Sequence, residues 1–186
     1  MQKPNGGKET KMHSNIYVLT LLGTNNKLNE NVDLEHTTEL DLPLDYMEQT
    51  MCDYVREYYY SEGNWMNQLQ WLTSVCPVLK LSSVNGVQQI TIDIEELKQF
   101  NVEQIDKIRD YLNENVYSYK KGRYNIEECI FHISELIEDK HGFYIIDKNH
   151  DMYPQTINEF LRRTAENYYN EKSVTFAVTG LFDYHS

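Results

Sequence analysis

A chain of 186 residues with 40% hydrophobic and 12% aromatic content carries enough apolar surface for one domain, or at most two small ones, without disulfide or metal staples. Its formal charge of −12 and pI near 4.9 oppose direct binding to nucleic acid or anionic lipid and favour partner proteins with basic surfaces. The three cysteines, Cys52, Cys76 and Cys129, are far apart and fit no finger or CxxC spacing, so they read as reduced thiols.

No apolar run approaches the roughly 20 residues of a membrane span, and the start Met1-Gln2-Lys3-Pro4-Asn5-Gly6-Gly7 lacks the apolar core of a signal peptide. The expectation is a cytoplasmic protein without a cofactor. Alanine occurs only at Ala165 and Ala177 while Asn, Ile, Lys, Glu and Tyr abound, a bias that points to an AT-rich genome. Lys8-Glu9 could be encoded by a ribosome-binding sequence just ahead of Met12, which would make Met12 the start.

In chain order, residues 1–14 are polar and aperiodic and read as a flexible extension, with a single domain over 15–186. Ile16 to Leu22 is β-rich and continuously apolar, as expected of a strand covered on both faces, and Gly23-Thr24-Asn25-Asn26 ends it. Residues 32–42 alternate loosely and suggest an extended segment. Asp41 and Pro43 open a helix in which Leu44, Met47, Met51, Tyr54, Val55 and Tyr58 recur at helical spacing. After Gly63-Asn64, the residues Trp65, Leu69 and Leu72 predict a short helix ending before Pro77.

Val78–Val84 and Val87–Ile94 flank Asn85-Gly86, a dipeptide suited to the two positive φ angles of a type I′ turn, and predict a β-hairpin. Residues 101–116 predict a helix burying Val102, Ile105, Ile108, Leu112 and Val116. Asn125 can cap the next, which buries Ile126, Cys129, Ile130, Ile133, Leu136 and Ile137. Phe143–Ile146 reads as a strand, Pro154 as the opening of a helix through Ile157, Phe160, Leu161 and Tyr168, and Ser173–Phe182 as a final strand. The order fits α+β, a mixed or mainly antiparallel sheet with four to five helices.

The charge is localised. Residues 30–62 carry ten carboxylates against Arg56, a net −9, whereas 1–29 carry +3, 63–92 carry +1 and 93–186 carry −7. On a helical wheel Asp41, Asp45, Glu48, Asp53 and Glu57 lie opposite the apolar stripe, giving one charge per about 5 Å, close to the phosphate spacing of a DNA strand at about 3.4 Å. The ridge is either a solvated face or an imitation of a nucleic-acid backbone. Glu103, Asp106, Asp110 and Glu114 form a second row, interrupted by Lys107, which can bridge to Glu103 or Asp110.

Glu128, His132, Glu135 and Asp139 share a row that could hold a divalent metal, although metal sites usually draw ligands from several elements. Phe131 falls on the polar arc of that helix, so it is either packed beneath another element or an exposed contact. Fifteen tyrosines, clustered at 58–60, 117–124 and 168–169, interleave with acids as in binding surfaces, Tyr59 and Tyr60 among them. No GxGxxG, P-loop, GxSxG or HExxH pattern occurs, and His141, His150 and His185 are scattered.

Asn15-Ile16-Tyr17-Val18, with the size and charge of the chain, resembles the first strand of the acidic antirestriction proteins that imitate DNA. The glycine- and tryptophan-bearing segment that follows in that family has no counterpart in Thr24-Asn25-Asn26-Lys27. The expected function is non-catalytic: an inhibitor of phage or mobile-element origin, of antirestriction or anti-CRISPR type, that occupies the basic surface of a nuclease or other nucleic-acid-binding protein. The residues expected to bind the partner are Asp41, Asp45, Glu48, Asp53, Glu57, Tyr59, Tyr60 and Phe131. The alternatives are a metal-assisted hydrolase built on Glu128, His132, Glu135 and Asp139, or an oligomeric accessory protein.

Overall fold

The structure, a computed structural model, describes residues 13–25, 27–29, 32, 34, 37, 54–57, 62–122, 126–137 and 143–185. The elements in chain order are β1 (His13–Thr24), β2 (Lys27–Leu28), β3 (Tyr54–Glu57), α1 (Glu62–Val75), β4 (Leu79–Val84), β5 (Val87–Asp93), α2 (Ile94–Lys120), α3 (Ile126–Ile137), β6 (Phe143–Asp147), β7 (Asp151–Thr156), α4 (Ile157–Asn167) and β8 (Ser173–His185). The fold is α+β, as the element order predicts. A mixed sheet runs β4-β5-β8-β1-β6-β7, with β2 added beside β1 and β3 beside β8. Among the described pairings, β1 with β6 is parallel and the others are antiparallel.

The centre of the sheet is the long pair β1 and β8, whose register slips after Val18 and again after Leu21. Each slip leaves one extra residue, Thr179 in β8 and Leu22 in β1, and such bulges bend and twist the pair. Alternation then divides the side chains. Tyr17, Leu19, Phe143, Ile145, Ile90, Ile92, Val174 and Phe176 join a core with Trp65, Leu69 and Leu72 of α1, Ile94 and Leu97 of α2, and Ile157, Phe160 and Leu161 of α4. On the other face Ile16, Val18, Ile146, Ala177 and Phe182 are also buried, so both faces are covered as the apolar run of β1 predicts.

That second face is closely packed at Gly180, where a Cβ would lie 3.0 Å from Phe182 and 3.1 Å from both Thr37 and Val18. Threonine hydroxyls pair across strands there, Thr20 with Thr179 and Thr91 with Thr175, each at 3.0 Å. The predicted hairpin is present: Asn85 and Gly86 have φ of 52° and 82°, and Val84 faces Val87 across the turn.

Three expectations need correction. The helix proposed up to Tyr58 does not include residues 54–57, which form β3 against Phe182–His185 of β8. The described β5 pairing ends at Ala177, so the far end of that β8 edge is open to Tyr54 and Val55, residue types that suit a pleated strand. Pro154 lies inside β7 rather than opening a helix, and the helix starts at Ile157 with Thr156 as its cap, whose hydroxyl accepts from Glu159 N at 3.2 Å. A proline is tolerated there because β7 is an edge strand. The third correction concerns α2. It begins at Ile94, directly after β5, and its core contacts come from Ile94 and Leu97, with Phe100 packed beside them. Beyond that turn the helix leaves the body, and Val102, Ile105 and Leu112, expected inside, are exposed.

Candidate functional site

At 27 residues α2 is about 40 Å long, but among its described side chains only those of the first two turns reach the core. The remainder packs against α3, so the two helices form a hairpin projecting from the sheet. Gln104, Ile108, Tyr111 and Asn115 are half-buried, whereas Val102 is 50% exposed, Ile105 64% and Leu112 37%. Ile130 and Phe131 of α3 are each 60% exposed. Phe131 is therefore exposed rather than packed beneath another element.

On a wheel at about 100° per residue, Val102, Ile105 and Leu112 fall within about 80° of arc, and Glu103, Asp106, Asp110 and Glu114 occupy the next arc. Arg109 pairs with Asp106 at 2.9 Å and approaches Asp110 at 3.8 Å, while Gln99 donates to Glu103 at 3.2 Å. Lys107 does not bridge the row as expected and instead donates to Gln104 at 3.4 Å. All of these are solvent-screened contacts that leave the carboxylates accessible. The hairpin thus exposes an apolar strip beside an acidic one, and its apolar residues gather where isolated ones scatter.

Of the residues expected to bind a partner, Asp41, Asp45, Glu48, Asp53, Tyr59 and Tyr60 lie outside the described residues. Glu57 ends β3 opposite Phe182, so its backbone is extended and does not continue a helix. In the metal row, Glu128 is exposed and His132 is half-buried, with ring centroids 6.0 Å from Tyr111 and 5.6 Å from Phe131. Asp139 and the side chain of Glu135 lie outside the described residues. Among the described residues no group of three His, Cys, Asp or Glu side chains is placed to hold a metal.

A second polar constellation was not legible as one in the sequence. Asp147, at the end of β6 on the core side, is 4% exposed, and burial raises its carboxyl above the usual value. Its Oδ1 accepts Asn149 N at 3.0 Å, and its carbonyl accepts His150 N at 3.1 Å, which closes the β6–β7 turn. Tyr168, after α4, packs on Phe176 and is pushed up to about 12 by burial and then by the Asp147 charge. The paired acids of the hairpin were visible as a spacing, but the burial of Asp147 arises only when β6 and α4 meet.

No helix among the described residues is long and apolar enough to cross a membrane. Comparison with protein-family models, characterised proteins and solved structures finds no match for this chain.

Proposed function

We propose that the protein acts by stoichiometric binding, as an acidic inhibitor that covers the basic surface of a nuclease or other nucleic-acid-handling protein, in the manner of antirestriction and anti-CRISPR proteins. The observation that carries this reading is the projecting hairpin, where Val102, Ile105, Leu112, Ile130 and Phe131 stand exposed beside a row of carboxylates. The apolar strip supplies contacts that exclude water, and the net charge of −12 steers a cationic partner toward them. The acids of residues 30–62 add to the same field.

The test is association with purified restriction and RNA-guided nucleases, measured by interferometry from 0.05 to 1 M salt and in competition with duplex DNA. The on-rate should fall steeply as the Debye length shrinks from about 14 Å to about 3 Å, and DNA should compete. Combining Ile105→Ser with Phe131→Ser should raise the off-rate at least tenfold, and reversing Asp45, Asp53 and Glu57 to Lys should lower the on-rate. Binding that ignores salt and DNA would remove the inhibitor reading.

A further inference from the structure

The turn between β6 and β7 brings three electron-pair donors to one narrow cleft. Its lining includes Asp147 and His150 of the turn, Gln155 of β7, and Arg163, Asn167 and Tyr168 from α4 and its end. Gln155 is 4% exposed, and its Oε1 meets no hydrogen-bond donor. A buried amide oxygen left unpaired is destabilising, so its position asks for a hydrogen-bond donor or a cation. Asp147 Oδ2 lies 3.9 Å from His150 Nε2, too far for a hydrogen bond. His150 Nε2 is also 3.3 Å from Asn167 Nδ2 and 3.4 Å from the Tyr168 hydroxyl, both of which can donate to a neutral imidazole.

We propose that Asp147, His150 and Gln155 form a binding site for a divalent transition-metal ion of the zinc class, which pins the β6–β7 turn to the face of α4. Two ligands at about 2.1 Å from one ion stand about 3.0–3.4 Å apart, so the carboxylate and imidazole need to close by less than about 1 Å. A carboxylate, an imidazole and an amide oxygen make a mixed oxygen and nitrogen set that suits Zn²⁺ or Mn²⁺ better than Mg²⁺. The cleft is too narrow for an organic ligand, which favours a small ion whose fourth position is filled by water from the solvent side. Arg163 also lines the cleft and its charge opposes a cation, but its Nη2 is held 3.1 Å from Glu159 Oε1. The ion replaces the contacts of Asn167 and Tyr168 to the imidazole, and the half-exposed His150 ring is the entry side.

The experiment is calorimetric titration of the chelator-stripped full chain with Zn²⁺, Mn²⁺ and Mg²⁺, with the thermal midpoint read in parallel. The expected result is one Zn²⁺ per chain, weaker Mn²⁺ and no Mg²⁺, with a higher thermal midpoint in the presence of zinc. His150→Gln and Gln155→Leu should each weaken Zn²⁺ at least tenfold, whereas His132→Ala should leave it unchanged. Should Gln155→Leu disturb the fold, Co²⁺ absorption of the native protein and of His150→Gln decides the case, the spectrum being present in the first and lost in the second. Absence of Zn²⁺ binding at 100 μM would overturn the proposal. Binding that survives His150→Gln, or that is lost in His132→Ala, would do the same by placing the ion elsewhere.

Discussion

Helices α1 and α2 carry apolar residues at the same three- and four-residue spacing, yet they end differently. Trp65, Leu69 and Leu72 of α1 are at most 2% exposed, while Val102 and Ile105 of α2 are at least half exposed. The difference lies in what is opposite. α1 lies on the sheet, where Asn15 Nδ2 donates to Gln68 Oε1 at 2.7 Å, Tyr17 donates to the Gln68 carbonyl at 3.1 Å, and Trp71 meets Phe143 edge-on at 4.2 Å between centroids. After Phe100, α2 has no strand behind it among the described residues and packs against α3 instead. Periodicity therefore shows that a face wants an apolar partner, but not whether that partner is in the same chain.

The largest test of this contrast is a pair of truncations. Leu69→Ala should destabilise the protein by about 2–5 kcal/mol in urea unfolding, through lost burial and the cavity left behind. Ile105→Ala should change it by less than about 0.5 kcal/mol. An equal loss at both positions would mean that the hairpin face is part of the core. Gly180→Ala probes close packing on the second face of the sheet and should cost about 1–3 kcal/mol, because the added methyl meets Phe182, Thr37 and Val18.

Thr156→Ala should cost about 1 kcal/mol by removing the hydroxyl that accepts Glu159 N, measured as a shift of the urea midpoint without a change of slope. Hydrogen exchange sharpens the comparison without any mutation. Amides of β1 and β8 should exchange only through global opening, and those of residues 102–115 and 127–134 through local opening of the hairpin. Equal protection in the two regions would contradict the picture of a body with a projecting, separately stabilised element.

The smallest effect expected is a slope with pH. Burial raises the Asp147 pKa above 3.8, so the folded protein holds that proton more tightly than the unfolded chain. The stabilisation is fully present below the unfolded value and is lost as pH rises through the folded one. Asp147→Asn should remove this part of the decline in urea midpoints between pH 3 and 7, and an unchanged slope would show that the carboxylate is not desolvated.

Local chemistry by itself determined much of the fold. Asn85-Gly86 dictates its turn because few other dipeptides accept two positive φ angles, and the run Ile16–Leu22 dictates a strand with two covered faces because no polar side interrupts it. Acidity, too, is a property of composition, and it sets the sign of the field around the protein. Tertiary structure decided the rest. Tyr54–Glu57 became a strand because β8 offered an open edge, Pro154 entered β7 because that strand has no outer neighbour among the described residues, and Asp147 became buried because α4 meets the end of β6. Each outcome depends on residues distant in the chain, and the exposure of Val102, Ile105 and Leu112 depends on where the sheet ends, which no local pattern encodes.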